Sequence, residues 1–359
     1  MKLIYPGDKA FSRVLELIEQ ANAKIEIQMF IWRDDEIGNR LLDALIKAAQ
    51  KGIQITLRKD LFGSIFEKSE ENKQSMFHKP KHFKTALYAY MIDHMYHDKR
   101  KPRGYHQKSN PKVGLFLSFP NVKVSSTILK DHTKYYIFDD QILYIGGVNV
   151  EDKENGADIQ GREYRDYMVE LHNETVIQHF KSRLAGLPYD DALKVEFITN
   201  AHHKEAKLVL PSLISNAREY IIMHMAYFGA KKASEAILTA LKNGVKVDIL
   251  TSNISNLQND YNRKLLKEFY QAGASIYLHP GLIHAKALLI DDQIIIGSTN
   301  LNRAAFDKLG ECSIKIVEPA FKAQFLEADQ LLKNEAKRVT HDSELHYHPL
   351  TAWFEKIAS

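Results

Sequence analysis

The stretch YYIFDDQILYIGGVN (residues 135–149) returns almost intact as ALLIDDQIIIGSTN (residues 287–300). Each copy is a pair of strand-like runs around Asp-Asp-Gln, followed by a small-residue loop that ends in Asn. The echo extends backwards. NAKIEIQMFIW (22–32) leads into LLDALIKAAQKGIQITLR (41–58), and NAREYIIMHMAYF (216–228) leads into AILTALKNGVKVDIL (236–250). Each half reads as a helix, a mostly buried strand, a second helix and another strand. The second helix ends where Gly52 or Gly244 can supply a left-handed cap. Leu42, Leu45, Ile46 and Ala49 recur at helical spacing, as do Ile237, Leu238 and Leu241. Strands alternating with helices predict an α/β architecture in each half, and the duplication predicts two related domains.

The chain has 359 residues, 45% apolar and 26% charged. That composition excludes a disordered, collagen-like or coiled-coil protein. Cys312 is the only cysteine, so a disulfide-stapled secreted scaffold is excluded and a cytoplasmic setting is expected. The opening MKLIYPGDKAF lacks the pattern of a signal peptide, and no run approaches the ~20 apolar residues of a membrane span. The expected domains are 1–188 and 189–335, with a tail over 336–359 and a break around 184–192. From Gly52 to His132 is 80 positions, but from Gly244 to His284 only 40, so the first half carries an insertion, placed at about 65–115. Residues 76–112 hold nine Lys and Arg against two acids, while the rest of the chain is net acidic. An anionic partner is expected to touch that segment.

The repeated units carry the same polar set. His132 and Lys134 are followed by Asp139, Gly146, Gly147 and Asn149; His284 and Lys286 are followed by Asp291, Gly297, Ser298 and Asn300. Residues two apart on a strand share a face, so each His–Lys pair presents an imidazole and an ammonium together. Imidazole serves as nucleophile or proton carrier near neutral pH. With a compact positive charge and an amide donor beside it, the set suits a tetrahedral oxyanion such as phosphate. Lys beside each His argues against a metal site, and there is no thiolate cluster. Asp139 and Asp291, at Asp-Asp turns, read as structural residues that fix the loop by side-chain hydrogen bonds. The second copy is one residue shorter between its Asp and its Gly, so the two turns are expected to differ.

Two HxK(x)4D motifs, each followed by G(S/G)xN, resemble the phospholipase D superfamily. The resemblance covers nearly the whole chain, including IWRDDEIGNRLLDALIKAAQKGI and LLKEFYQAGASIYLHPGLIHAK, and is strongest to bacterial cardiolipin synthases of phospholipase D type without transmembrane helices. It implies two α/β sandwich domains, each a mixed sheet flanked by helices, related by a pseudo-twofold and sharing one active site. One His, taken as His132, attacks phosphorus to form a phosphohistidine. The other, His284, protonates the departing alkoxide and then deprotonates the incoming alcohol or water. Lys134, Lys286, Asn149 and Asn300 hold the non-bridging oxygens, and no metal or cofactor is needed. The family's acidic residue downstream of the Asn maps onto Glu311 in the second copy and Asp166 in the first, with Glu163 and Glu170 as alternatives. Gly147 stands where the family usually has Ser, which removes a hydroxyl hydrogen bond.

The resemblance implies a phosphatidyltransferase that turns phosphatidylglycerol into cardiolipin. The alternatives are a phospholipase D hydrolase and a phosphodiesterase acting on nucleic acid. The expected partners are phospholipid and an anionic membrane surface, on the inner face of the cell membrane. Within the insertion, Phe83, Leu87, Tyr90, Met91 and Met95 predict an amphipathic helix. Beside them, Lys84, Lys99, Arg100, Lys101 and Arg103 are candidate anion contacts. In the tail, Trp353, Phe354 and Ile357 read as a docked helix or an interfacial contact.

Overall fold

The structure, a computed structural model, describes residues 1–5, 7–69, 75–77, 83–95, 110–127, 129–156, 163–187 and 194–358. The chain forms two compact units, essentially Leu3–Gln178 and His179–Ser359. The division falls inside helix α6 (Glu174–Leu184).

The first unit is built on strands β1 (Lys2–Ile4), β2 (Lys24–Met29), β3 (Gln54–Asp60), β4 (Val122–Thr127), β5 (Lys134–Phe138), β6 (Ile142–Gly146) and β8 (Met168–His172), with a short β7 (Tyr164–Arg165). Seven of these form one sheet in the order β4-β3-β2-β5-β6-β8-β1. Strands β2, β3 and β4 run parallel, and β2, β5, β6 and β8 pair antiparallel. Helices α1 (Gly7–Gln20) and α2 (Glu36–Gln50) contribute Leu17, Leu41, Leu42 and Leu45 to a core with Ile25, Ile27, Leu57 and Tyr136. Helix α2 begins at Asp35, whose side chain accepts from Gly38 N, and the chain leaves it through Gly52 at φ 87°.

The second unit repeats this order. Strands β9 (Val195–Thr199), β10 (Tyr220–Met225), β11 (Lys246–Ser252), β12 (Ser275–His279), β14 (Lys286–Ile290), β15 (Gln293–Gly297) and β16 (Cys312–Ile316) run β12-β11-β10-β14-β15-β16-β9. The two-residue β17 (Lys337–Arg338) is added beyond β12, and β13 (Leu282–Ile283) precedes the second His. Parallel and antiparallel pairings match the first unit strand for strand from β12 to β16. Helix α7 (Ala206–Ser215), α8 (Lys231–Lys242) and α9 (Asn259–Gln271) cover the core of Ile221, Met223, Ile249, Leu288 and Ile295. On α8 the small residues Ala233, Ala236 and Ala240 are buried with Ile237, whereas Leu238 and Leu241 pack only partly against the core. Each unit is thus a mixed sheet flanked by helices.

The duplicated turns do differ. Phe138 pairs with Ile142 across three residues, with Asp139 and Asp140 both at positive φ; Ile290 pairs with Gln293 across two, with only Asp291 at positive φ. The extra chain of the first unit enters between β3 and β4, where the second unit has only α9 and its loops. It includes α3 (Gly63–Ser69), α4 (Phe83–Met95) and α5 (Pro111–Ser118). Helix α4 corrects the expectation of a conventional amphipathic helix. Of its predicted stripe, Phe83, Leu87, Tyr90 and Met91 face solvent and the side chain of Met95 lies outside the described residues; Tyr88 outside the stripe is exposed too, while Ala89 is buried. Apolar residues run round most of the helix, so periodicity alone could not tell which face would pack. Lys99, Arg100, Lys101 and Arg103 lie outside the described residues, as does the side chain of Lys84.

Candidate active site

In the first unit His132 sits just ahead of β5, at the end of a loop held from the neighbouring strand. Asp60, the last residue of β3, accepts from the backbone N–H groups of Asp131 (2.5 Å), Phe62 (2.8 Å) and Leu129 (3.1 Å). Burial raises the Asp60 pKa, and these donors oppose the rise. In the second unit Ser252 takes the same place at the end of β11, its Oγ accepting from Ile283 N at 2.8 Å. In both copies, therefore, the residue immediately before the His is anchored to the strand next to β2 or β10.

The lysines enter the two sheets in the same way. Lys134 Nζ donates to the His132 carbonyl at 2.6 Å, and Lys286 Nζ donates to the His284 carbonyl. Both lysines are buried, at 0% and 2% exposure. His132 is buried against the edge of Phe30, ring centroids 4.7 Å apart, and the Lys134 ammonium lies 5.4 Å from the same ring. The loops after β6 and β15 then bring in Asn149 and Asn300, both buried. Asn149 Oδ1 accepts from Ile31 N at 3.2 Å, whereas Asn300 Oδ1 has no hydrogen-bond partner among the described residues.

The acidic candidates separate by what they touch. Asp166 is 2% exposed and lies against Gly147 so closely that a Cβ there would sit 2.3 and 2.4 Å from its carboxylate oxygens. Its Oδ1 accepts from Tyr167 N at 2.8 Å. In the second unit Ser298 fills that space and donates its hydroxyl to Glu311, also buried. The first unit pairs a shorter acid with Gly and the second a longer acid with Ser. Glu170 is engaged elsewhere: Arg13 holds it by two bonds of 2.8 Å, and that arginine and His172 bring its pKa below the usual range despite burial. Glu163 is half-exposed beside Arg165.

Gly146 and Gly297 carry the close approach of strands. A Cβ would stand 2.1 Å from the Tyr167 carbonyl in one and 2.2 Å from the Cys312 carbonyl in the other. The bonds of the Asp139 and Asp291 side chains go to the chain entering β2 and β10, where the sequence predicts bonds within their own turns. Asp139 accepts from the N–H groups of Asn22, Ala23 and Lys24, all at 2.8 Å, and Asp291 from Arg218, Glu219 and Tyr220 at 3.0 to 3.2 Å. Partial burial pushes both carboxyls up, but the backbone donors outweigh it and hold both pKa values below normal.

Several residues around these motifs are not marked by sequence spacing. Arg33 and Glu151 form a fully buried pair at 2.8 Å, with Lys153 3.3 Å from the same carboxylate oxygen. Lys59 and Glu67 form a second at 2.8 Å, and Glu67 accepts from Trp32 N. The only signal in the sequence is that Arg33 and Glu151 directly follow apolar residues, in IWR and VE. The equivalent positions of the second unit, flanking the bridge Phe228–Leu301 that matches Trp32–Val150, are Gly229 and Asn302.

A family model described as cardiolipin synthase, PLD-like domain, matches residues 14–187 and 210–330. Among curated relatives, cardiolipin synthase 1 of Bacillus anthracis is 25% identical over 340 residues, 85% of this chain and 61% of the relative. Minor cardiolipin synthase ClsB of Bacillus subtilis (strain 168) is 24% identical over 343 residues, 90% of this chain and 79% of the relative. The chain spans a little over three fifths of the first curated relatives it matches, 61% in the case of the Bacillus anthracis protein. Among solved structures, phosphatidylserine synthase of Haemophilus influenzae Rd KW20 superposes with a TM-score of 0.73 at 14% identity, covering 99% of this chain and 92% of that one. At that identity the likeness shows the fold.

Proposed function

The chain belongs to the cardiolipin synthase family of phospholipase D-like proteins, and we propose that it is a phosphatidyltransferase in which His132 and His284 act on one phosphorus atom. The observation that carries this reading is the duplicated set itself: a His, a buried Lys bonded to that His's carbonyl and a buried Asn, delivered by the same strands of two sheets of the same order. His132 attacks the phosphorus of phosphatidylglycerol, the P–N bond forms as the P–O bond to glycerol breaks, and His284 gives its proton to the leaving oxygen. A hydroxyl of a second phosphatidylglycerol then loses its proton to His284 and attacks the phosphohistidine, which yields cardiolipin and free His132. Lys134, Lys286, Asn149 and Asn300 stabilise the charge on the non-bridging oxygens. Asp166 and Glu311 orient the imidazoles, and Gly147 leaves room for the shorter of the two acids.

Phospholipid as substrate follows from the relatives named above, and contact with a membrane has support in the outward apolar stripe of α4, where Tyr90 and Met91 are exposed. No helix among the described residues is long and apolar enough to cross a membrane. Purified protein with phosphatidylglycerol vesicles is expected to give cardiolipin and glycerol in equal amounts. Phosphatidic acid as sole product would replace transfer by hydrolysis, and cleavage of single-stranded nucleic acid without lipid turnover would replace the lipid reading altogether.

A further inference from the structure

The second unit holds a cavity of about 290 Å³, with none of His284, Lys286 and Asn300 in its lining, whose rim is strongly basic: Lys207, Lys231, Lys232, Arg303 and Lys356 line it. Its one acid, Asp307, is shared by Lys207 at 2.6 Å and Arg303 at 3.9 Å, and Lys231 also reaches Glu235 at 3.6 Å. The rim therefore keeps a positive excess. Gly229, Ala230, Tyr261 and Phe306 form the rest of the wall.

Two independent features give this cavity a ligand class. The first is a contrast with the equivalent place in the other unit. There α2 starts at Asp35, with Glu36 in its first turn, and Asp152 accepts from Ile37 N at 2.8 Å. The matching helix α8 starts at Ala230 with no side-chain acceptor, and its first turn carries Lys231 and Lys232. Cations there oppose the helix dipole unless an anion sits among them.

The second is helix α12 (Pro349–Ala358), which brings Lys356 to the rim. Ala352 and Glu355 are buried, and Glu355 accepts from Tyr261 N at 2.7 Å, so that face is docked. The opposite face carries Leu350, Trp353, Phe354 and Ile357 at positions i, i+3, i+4 and i+7, every one more than half exposed. A docked helix that turns four large apolar side chains outward, with an aromatic pair among them, has the form of an interfacial helix. A free phosphate would fill the cavity without using that stripe; an anionic phospholipid uses both.

We propose that the second unit carries a headgroup cradle for anionic phospholipid, separate from the His–Lys–Asn set, in which the basic cavity takes the phosphate and the outer face of α12 lies in the headgroup layer. The cradle rests on the phospholipid chemistry proposed above and would keep the enzyme seated on a surface rich in its own substrate. The test is sedimentation of the full chain with vesicles of phosphatidylcholine alone or mixed with phosphatidylglycerol. Wild-type protein is expected to bind the mixed vesicles and not the neutral ones. Lys231→Glu/Lys232→Glu is expected to weaken that binding at least about tenfold at low salt. The milder Lys231→Gln/Lys232→Gln is expected to fall between. Trp353→Ser/Phe354→Ser is expected to weaken it at low and high salt alike. Turnover of a soluble short-chain phosphodiester is expected to be unchanged in all three variants.

Mixed-vesicle binding unchanged in the charge-reversed or the aromatic variant would overturn the cradle. So would lysine-dependent binding of inorganic phosphate with vesicle binding unaffected. Binding is read without catalysis, so a wild-type protein that turns over nothing would sink the transferase reading and leave the vesicle result to stand by itself.

Discussion

The two repeats deliver the same His, Lys and Asn on equivalent strands and surround them with different materials. In the first, Arg33–Glu151–Lys153 and Lys59–Glu67 are buried ion clusters, and Phe30 packs with Phe62 and Phe66 under the imidazole, at centroid distances of 6.3 and 5.6 Å. In the second, the corresponding shell is made of hydroxyls and amides: Ser252 on the backbone of Ile283, Thr251 on the carbonyl of Met225, Asn262 on the backbone of Ala226 and Phe228. What the phosphate chemistry would use is duplicated, and what merely supports it has diverged. A support built of buried ions holds one arrangement tightly, because any loosening leaves a charge without its partner. A neutral support tolerates small shifts. That difference fits a nucleophile that must be held still in the first unit and a proton carrier that serves two steps in the second.

The largest expected effect tests that division of roles. His132→Ala and His284→Ala are each expected to lower turnover at least about a thousandfold. Only His284→Ala is expected to trap phosphohistidine, read as acid-labile, base-stable label on the protein. Label in His132→Ala instead would reverse the roles. Next comes the shell. Arg33→Leu takes the guanidinium away from the buried carboxylate of Glu151 and is expected to cost about 3 kcal/mol, read as the denaturant midpoint of the first unit. The second unit has no equivalent to lose.

The swap of small residues sharpens the comparison further. Gly147→Ser drives a Cβ into the Asp166 carboxylate and is expected to cost about 2 kcal/mol. Ser298→Gly removes one hydrogen bond to buried Glu311 and is expected to cost about 1 kcal/mol. Combining Gly147→Ser with Asp166→Glu, which rebuilds the second unit's pairing in the first, is expected to recover part of the loss. If the double variant is no better than Gly147→Ser alone, the two pairs are not alternative solutions to one packing problem.

Much of this is legible in the sequence because the chain states its design twice. The Asp-Asp-Gln echo located β5, β6, β14 and β15; strand periodicity, however, does not apply to the His–Lys pairs, because β5 and β14 begin at Lys134 and Lys286 and each His lies ahead of its strand. The departure at Gly147 is visible as a missing hydroxyl, but its reason is not: that lies in the position of Asp166, nineteen residues on, in the connection between β7 and β8. Asp60 and Ser252 were illegible for a related cause. They perform one task, anchoring the residue before the His, with different side chains, so no repeat marks them. The charges at Arg33 and Glu151 each follow an apolar run, and only the fold brings them together across more than a hundred residues. In α4 and α12 the apolar spacing was readable but not its direction, since a helix with apolar residues on an outer face has the same periodicity as one that packs.

The smallest effect is expected where the two units are most alike. Asp139 and Asp291 each accept three backbone N–H bonds from the start of the strand beside them, and their pKa values are depressed. A carboxyl held below its unfolded pKa of about 3.9 adds stability that is complete above that value and is lost as pH falls through the folded value. Both groups are only partly buried, so solvent screens much of the gain, and Asp139→Asn and Asp291→Asn are each expected to cost only about 0.5–1 kcal/mol at pH 7. Asn tolerates the left-handed backbone at these positions (φ 52° in both), so the substitution removes the charge without straining the turn. The cost is expected to shrink in both variants as pH drops below about 4, where the wild-type carboxyl takes up a proton and loses the same advantage. Equal, pH-dependent losses would mark these aspartates as the shared scaffold of the repeat. An Asp139→Asn loss several times that of Asp291→Asn would mean that the first unit's turn, with its second left-handed residue, depends on the charge in a way the second unit's does not.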